Sequence, residues 1–182
     1  MAAASIIVLF ITPVYAAGPV EDWDMDIAQE IAQLFRRDLT RLLQELEAFP
    51  DDETLWRTVP GVSNSAGNLA LHLEGNLREF IGRQLGSVPY QRRRDDEFAA
   101  QGLPKAGVIQ RLSGVQELVP SVLARLTSDS LDATFPEQVY GAPLSTRQLL
   151  LSLHAHLNYH LGQIDYLRRI LTSGSAVAFV QL

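Results

Sequence analysis

Between Asp26 and Thr172 apolar residues recur every three or four positions, the period of helices that bury one side. No segment alternates apolar and polar residues over any length, so the pattern predicts helices and no strands. The first stretch runs from about Asp26 to Phe49, with Asp24 as a cap and Pro50 as a stop. Its apolar stripe is Ile27, Ile31, Leu34, Phe35, Leu42, Leu46 and Phe49. The second covers about Ser65 to Leu85 and is followed by Gly86, a C-terminal signal. The third starts near Pro104 and reaches about Thr127, and Pro120 inside it predicts a kink or a split. The fourth opens on Ser145-Thr-Arg-Gln148, a capping-box pattern, and continues to about Thr172. Four amphipathic helices in one chain of this size predict an all-α fold, a four-helix bundle.

The connections differ in kind. Pro50 to Asn64 is short. Gly86 to Leu103 contains QRRRDDEF, three arginines followed by three acids, which reads as a self-neutralising solvated loop rather than a grip on phosphate or substrate. Ser128 to Leu144 carries Phe135, Pro136, Tyr140 and Pro143 and reads as an ordered crossover.

The 182 residues suffice for one domain, and there is no cysteine. Disulfides, thiolate metal sites and cysteine nucleophiles are thereby excluded. A net charge of −6 argues against a nucleic-acid partner. Residues 1–24 are signal-like or a non-native leader, outside a bundle of residues 25–174 and a tail of 175–182. The uncharged run before Glu21 fits an export signal cleaved after Ala16, which leans toward a periplasmic location. The alternatives are a cytoplasmic protein starting at Met25, and an anchor.

The histidines carry the chemistry. On a helical wheel for the fourth stretch, Leu149, Leu153, His160, Ile164 and Leu167 fall within about 60° of one another. His156 lies about 20° to the other side and Gln163 about 40°. His156 and His160 are one turn apart on the core-facing stripe, the spacing at which two imidazoles can bite one metal ion. His154 is about 160° from His156 and should point away. In the second stretch His72 and Asn76 run along the flank of Leu69, Leu73 and Leu77, so a third histidine stands at the edge of the core. Three histidines leave a coordination position for water or substrate.

The segments SNSAGNLALHLEGNLREFIG, RRRDDEF and HLNYHLGQIDYLRR together resemble the DinB-like, or YfiT-like, metal-dependent bundle proteins. The resemblance implies a four-helix bundle with one divalent metal on His72, His156 and His160, and in some relatives a low-molecular-weight thiol as co-substrate. Zinc or nickel suits such a ligand set. A metal there would lower the pKa of a bound thiol or water, giving a thiol transferase or a hydrolase acting on a small molecule. The alternative is a metal- or ligand-binding bundle without turnover.

Three polar residues could support the site. Asp38 falls on the first stripe, where it either accepts the outer N–H of a ligand histidine or reaches water at the stripe edge. Asn76 could hold substrate or water, and Gln163 could support His160. Tyr159 and Tyr166 lie off the buried stripe, as surface residues or as part of a homodimer through helix faces. Gly75, Gly82 and Gly162 weaken their helices, which close helix contact or room beside the site would explain.

Overall fold

The computed structural model describes residues 26–139 and 141–178. The leader, the Asp24 cap and Tyr140 of the crossover lie outside the described residues, as do the last four positions. Four long helices carry the fold: α1 (Ile27–Glu47), α3 (Ala66–Leu77), α5 (Lys105–Leu123) and α7 (Thr146–Thr172). Short helices α2 (Asp52–Trp56), α4 (Arg94–Ala99) and α6 (Ser128–Asp132) occupy the three connections. Among the described residues there is no strand, only an isolated bridge between Thr134 and Ser145. No described helix is long and apolar enough to cross a membrane.

Three of the four long helices begin at a residue whose side chain accepts from their free backbone N–H groups, and at the start of α5 Asp52 accepts from Lys105 N instead. Asp26 caps α1, where Asp24 was expected to. Ser65 with Asn68, and Ser145 with Gln148, close capping boxes on α3 and α7. α3 continues as a π-helical segment, Arg78–Arg83, so the expected single helix reaching Leu85 changes its winding on the way. α5 runs through Pro120 as one helix, so of the expected kink or split the split does not occur. The proline stands in the last turn, so only one backbone bond, to Gln116, is forfeited.

α1 packs against α5 and α7, and α3 packs against the same two helices. α1 is thus diagonal to α3, and α5 to α7. Phe35, Leu39, Leu42 and Leu46 of α1 meet the buried leucines of α3 and α7 in one core. Ile27, assigned to the stripe from its spacing, is partly exposed at the helix start. Every residue of α3 is buried, because α2 and α4 cover the side that α5 and α7 leave open.

The buried charges are paired. Arg168 of α7 donates to Glu45 of α1 at 2.6 Å, and Glu74 of α3 accepts from Arg78 and Arg111. Gly86 to Leu103 is not a wholly solvated loop. Arg93, Arg94, Asp95 and Asp96 are exposed as expected, but α4 turns Glu97 inward against α3.

Candidate metal centre

His72 is fixed by a helix that is covered on all sides, and His156 and His160 by consecutive turns of α7. Their Nε2 atoms meet. His156 Nε2 lies 3.2 Å from His72 Nε2 and 3.0 Å from His160 Nε2, and one ligand atom from each residue falls within 4.8 Å of the others. His72 is buried, while the two α7 imidazoles are half-buried.

Two of the rings are held from behind. His72 Nδ1 donates to Glu97 Oε2 at 2.9 Å, and Arg92 brackets the same carboxylate with Nε and Nη2 at 2.7 and 2.9 Å. Burial alone would raise the Glu97 pKa, but the hydrogen bonds from Arg92 and His72 outweigh it and hold the carboxyl below its usual range. An ionised Glu97 has no proton to give, so the proton of this bond belongs to His72 Nδ1. His160 Nδ1 donates to Gln163 Oε1 at 2.7 Å. Both rings therefore present an Nε2 lone pair to the centre.

The third ring differs, since His156 Nδ1 is buried without a hydrogen-bond partner. Burial, followed by the charges its neighbours would carry, pushes the His156 pKa down to about 4. Burial likewise lowers that of His160, with Gln163 opposing it. A cation placed between the three nitrogens would accept a lone pair from each. The donor set is that of a divalent transition metal. Among the described residues no carboxylate joins the three, so a metal held here would keep an open position.

Asn68, which closes the α3 capping box, also donates to the carbonyls of Glu97, Phe98 and Ala100. The residue that starts α3 thereby seats α4, and with it Glu97. Gly75 completes the seat, since a Cβ there would collide with Glu97 Oε1. Neither Glu97 nor Arg92 was singled out from the sequence. The one signal was that RRRDDEF places an acid beside an aromatic residue after a run of charge.

The expectation for Asp38 fails in its partner. Asp38 is fully buried and accepts from His154 Nε2 at 2.8 Å, from Asn158 at 2.8 Å, and from Arg37 and Arg41. His154 projects toward α1, away from the three-histidine centre. Asp38 therefore fastens α1 to α7 and reaches no member of the histidine group. Burial raises its pKa, but the bonds from His154, Arg37 and Asn158 prevail and hold it well below the usual carboxylate range. Asn76 is buried with Oδ1 unpartnered, and it makes no hydrogen bond to the three histidines. A cavity of about 350 Å³ opens beside Gln163, walled by Leu69, Val62, Tyr166, Leu167 and Ile170.

The chain is thus an all-helical protein with a three-histidine group that could hold a metal ion. A family model described as the DinB superfamily matches residues 34–164, and the chain belongs to that superfamily. No curated protein matches it. Among solved structures it is similar to a DinB-like protein from Bacillus cereus ATCC 10987, at 16% identity and a TM-score of 0.64, over 82% of this chain and 95% of that one. It is also similar to a conserved protein from Enterococcus faecalis, at 15% identity and a TM-score of 0.66, over 82% and 99% of the two chains. At these identities the likeness extends to the fold.

Proposed function

We propose that this chain is a metal-dependent enzyme that activates a low-molecular-weight thiol or a water molecule at His72, His156 and His160, toward a small substrate with an apolar group. The observation that carries the reading is the convergence of three Nε2 atoms, with the rings of His72 and His160 fixed from behind by Glu97 and Gln163. A divalent metal on these nitrogens would supply Lewis acidity that makes a thiol or water nucleophilic near neutral pH. The protein's own part is to hold the three rings, to favour the neutral form of His156 and His160 by burial, and to place an apolar cavity next to Gln163. Without cysteine the chain has no thiol of its own, so a thiol nucleophile would come from solution.

Elemental analysis of untagged protein tests the first half. About one divalent ion per chain is expected in the parent, and little in a folded His160→Ala variant. Equal metal content in both would refute the ligand role. Small thiols are then screened against electrophiles, and esters and amides without thiol. Turnover in either set that disappears with the metal is expected. Full metal loading without turnover in either set would leave a binding protein and end the enzymatic reading.

A further inference from the structure

α7 has a second apolar face. Every exposed residue from 151 to 170 is uncharged: Leu151, Ala155, Tyr159, Gly162, Tyr166 and Ile170. The four large side chains are 54 to 64% exposed. The face is centred about 170° round the helix from the middle of its buried residues, with His156 and Gln163 between the two. Within it Gly162 has nothing within 4 Å of where a Cβ would stand, whereas Gly75 and Gly82 are explained by Glu97 and Leu118. A mid-helix glycine costs stability, and no neighbour within the described residues accounts for this one.

The order of sizes along the face accounts for it. Laid antiparallel on a second copy about a two-fold axis between His160 and Leu161, Leu151 meets Ile170, Ala155 meets Tyr166, and Tyr159 meets Gly162. Each tyrosine faces a small residue, and the two aliphatic ends face each other. Such a face is complementary to itself, as a two-fold interface requires. We infer that the protein pairs with a second copy of itself through antiparallel α7 helices, with the Tyr159 ring of each copy over Gly162 of the other.

The area agrees with such an interface. With aromatic side chains of about 150–250 Å² each, the exposed face amounts to roughly 600 Å² per copy, against about 800 Å² in a standard interface. The half-buried polar residues along its edges bring it close to that figure. Tyr166 and Ile170 also wall the cavity beside Gln163, so the second copy would bring its Ala155 and Leu151 to the cavity mouth.

Sedimentation of the full-length chain at about 100 µM, above the micromolar dissociation constants that interfaces of this size can have, should give a dimer. Gly162→Lys, a better helix former at an exposed position, should give a monomer that melts no lower than the parent at concentrations where the parent is itself dissociated. The geometry is read by cross-linking, made clean by the absence of native cysteine. Leu151 and Ile170 lie about 28 Å apart along one helix, beyond a short bismaleimide. The double variant Leu151→Cys/Ile170→Cys should give covalent dimers, and each single variant should not. A parent that sediments as a monomer, covered by its own leader or by nothing, overturns the inference. So does a Gly162→Lys protein that stays dimeric, or single variants that link as well as the double.

Discussion

Glu97 and Asp38 are both buried carboxylates that accept from a histidine, and they should respond oppositely to neutralisation. Glu97→Gln keeps the size of the side chain but removes the charge behind His72. Metal affinity should fall about 10–100-fold while the fold persists, measured by competition with a chromogenic chelator. Asp38→Asn should leave metal affinity unchanged and destabilise the fold by on the order of 3 kcal/mol, because Arg37, Arg41 and His154 lose their common acceptor. Since the folded-state pKa of Asp38 is depressed, its contribution is complete above the unfolded value of about 3.9 and is lost as pH falls toward the folded value. The difference between parent and variant in denaturant titrations should therefore shrink below about pH 4. Periodicity put Asp38 on a buried stripe, which holds. It could not say which histidine of α7 lies opposite, because that depends on how two helices distant in sequence are rotated against each other. The three converging histidines were legible because two share a stripe and the third flanks one.

At the scale of elements, what escaped the sequence is the set of short helices. α4 has six residues, fewer than two turns, so its charged sequence shows no period and reads as loop. Its position is set by tertiary contacts: Asn68 holds its carbonyls, and Gly75 leaves room for its acid. Gly75→Ala should therefore separate two effects that usually travel together. Alanine favours the helix by about 1 kcal/mol, yet its methyl would drive Glu97 out of its seat. Metal affinity should drop as in Glu97→Gln, with helicity by circular dichroism retained. Undiminished affinity in Gly75→Ala would mean that Glu97 does not act through the place it occupies here.

For the whole molecule, the bundle followed from four periodic stretches, but which helices touch did not, since periodicity gives each helix an inside without naming its neighbours. A metal that binds only the folded chain should stabilise it. At a free concentration about 100-fold above the dissociation constant the gain is about 2.7 kcal/mol. For a domain of this size that raises the melting midpoint by about 5–10 °C. Zinc or nickel added to chelator-treated protein should produce that rise, chelator should reverse it, and His160→Ala should not show it. An equal rise in the variant would place the metal elsewhere.

The diagonal placement of α1 and α3 has a consequence for synthesis on the ribosome. The acids that α1 carries into the core find their long-range partners on the last helix, Asp38 at His154, 116 positions on, and Glu45 at Arg168, 123 positions on. At about 5–20 residues per second, α1 waits on the order of ten seconds before Glu45 meets its arginine and before Asp38, which Arg37 and Arg41 of the same helix already neutralise, meets His154. Until then it is an amphipathic helix with carboxylates on its sticky side, soluble enough to wait and unable to settle against α3 alone. Assembly is therefore gated by the emergence of α7, the same helix that brings two of the three histidines.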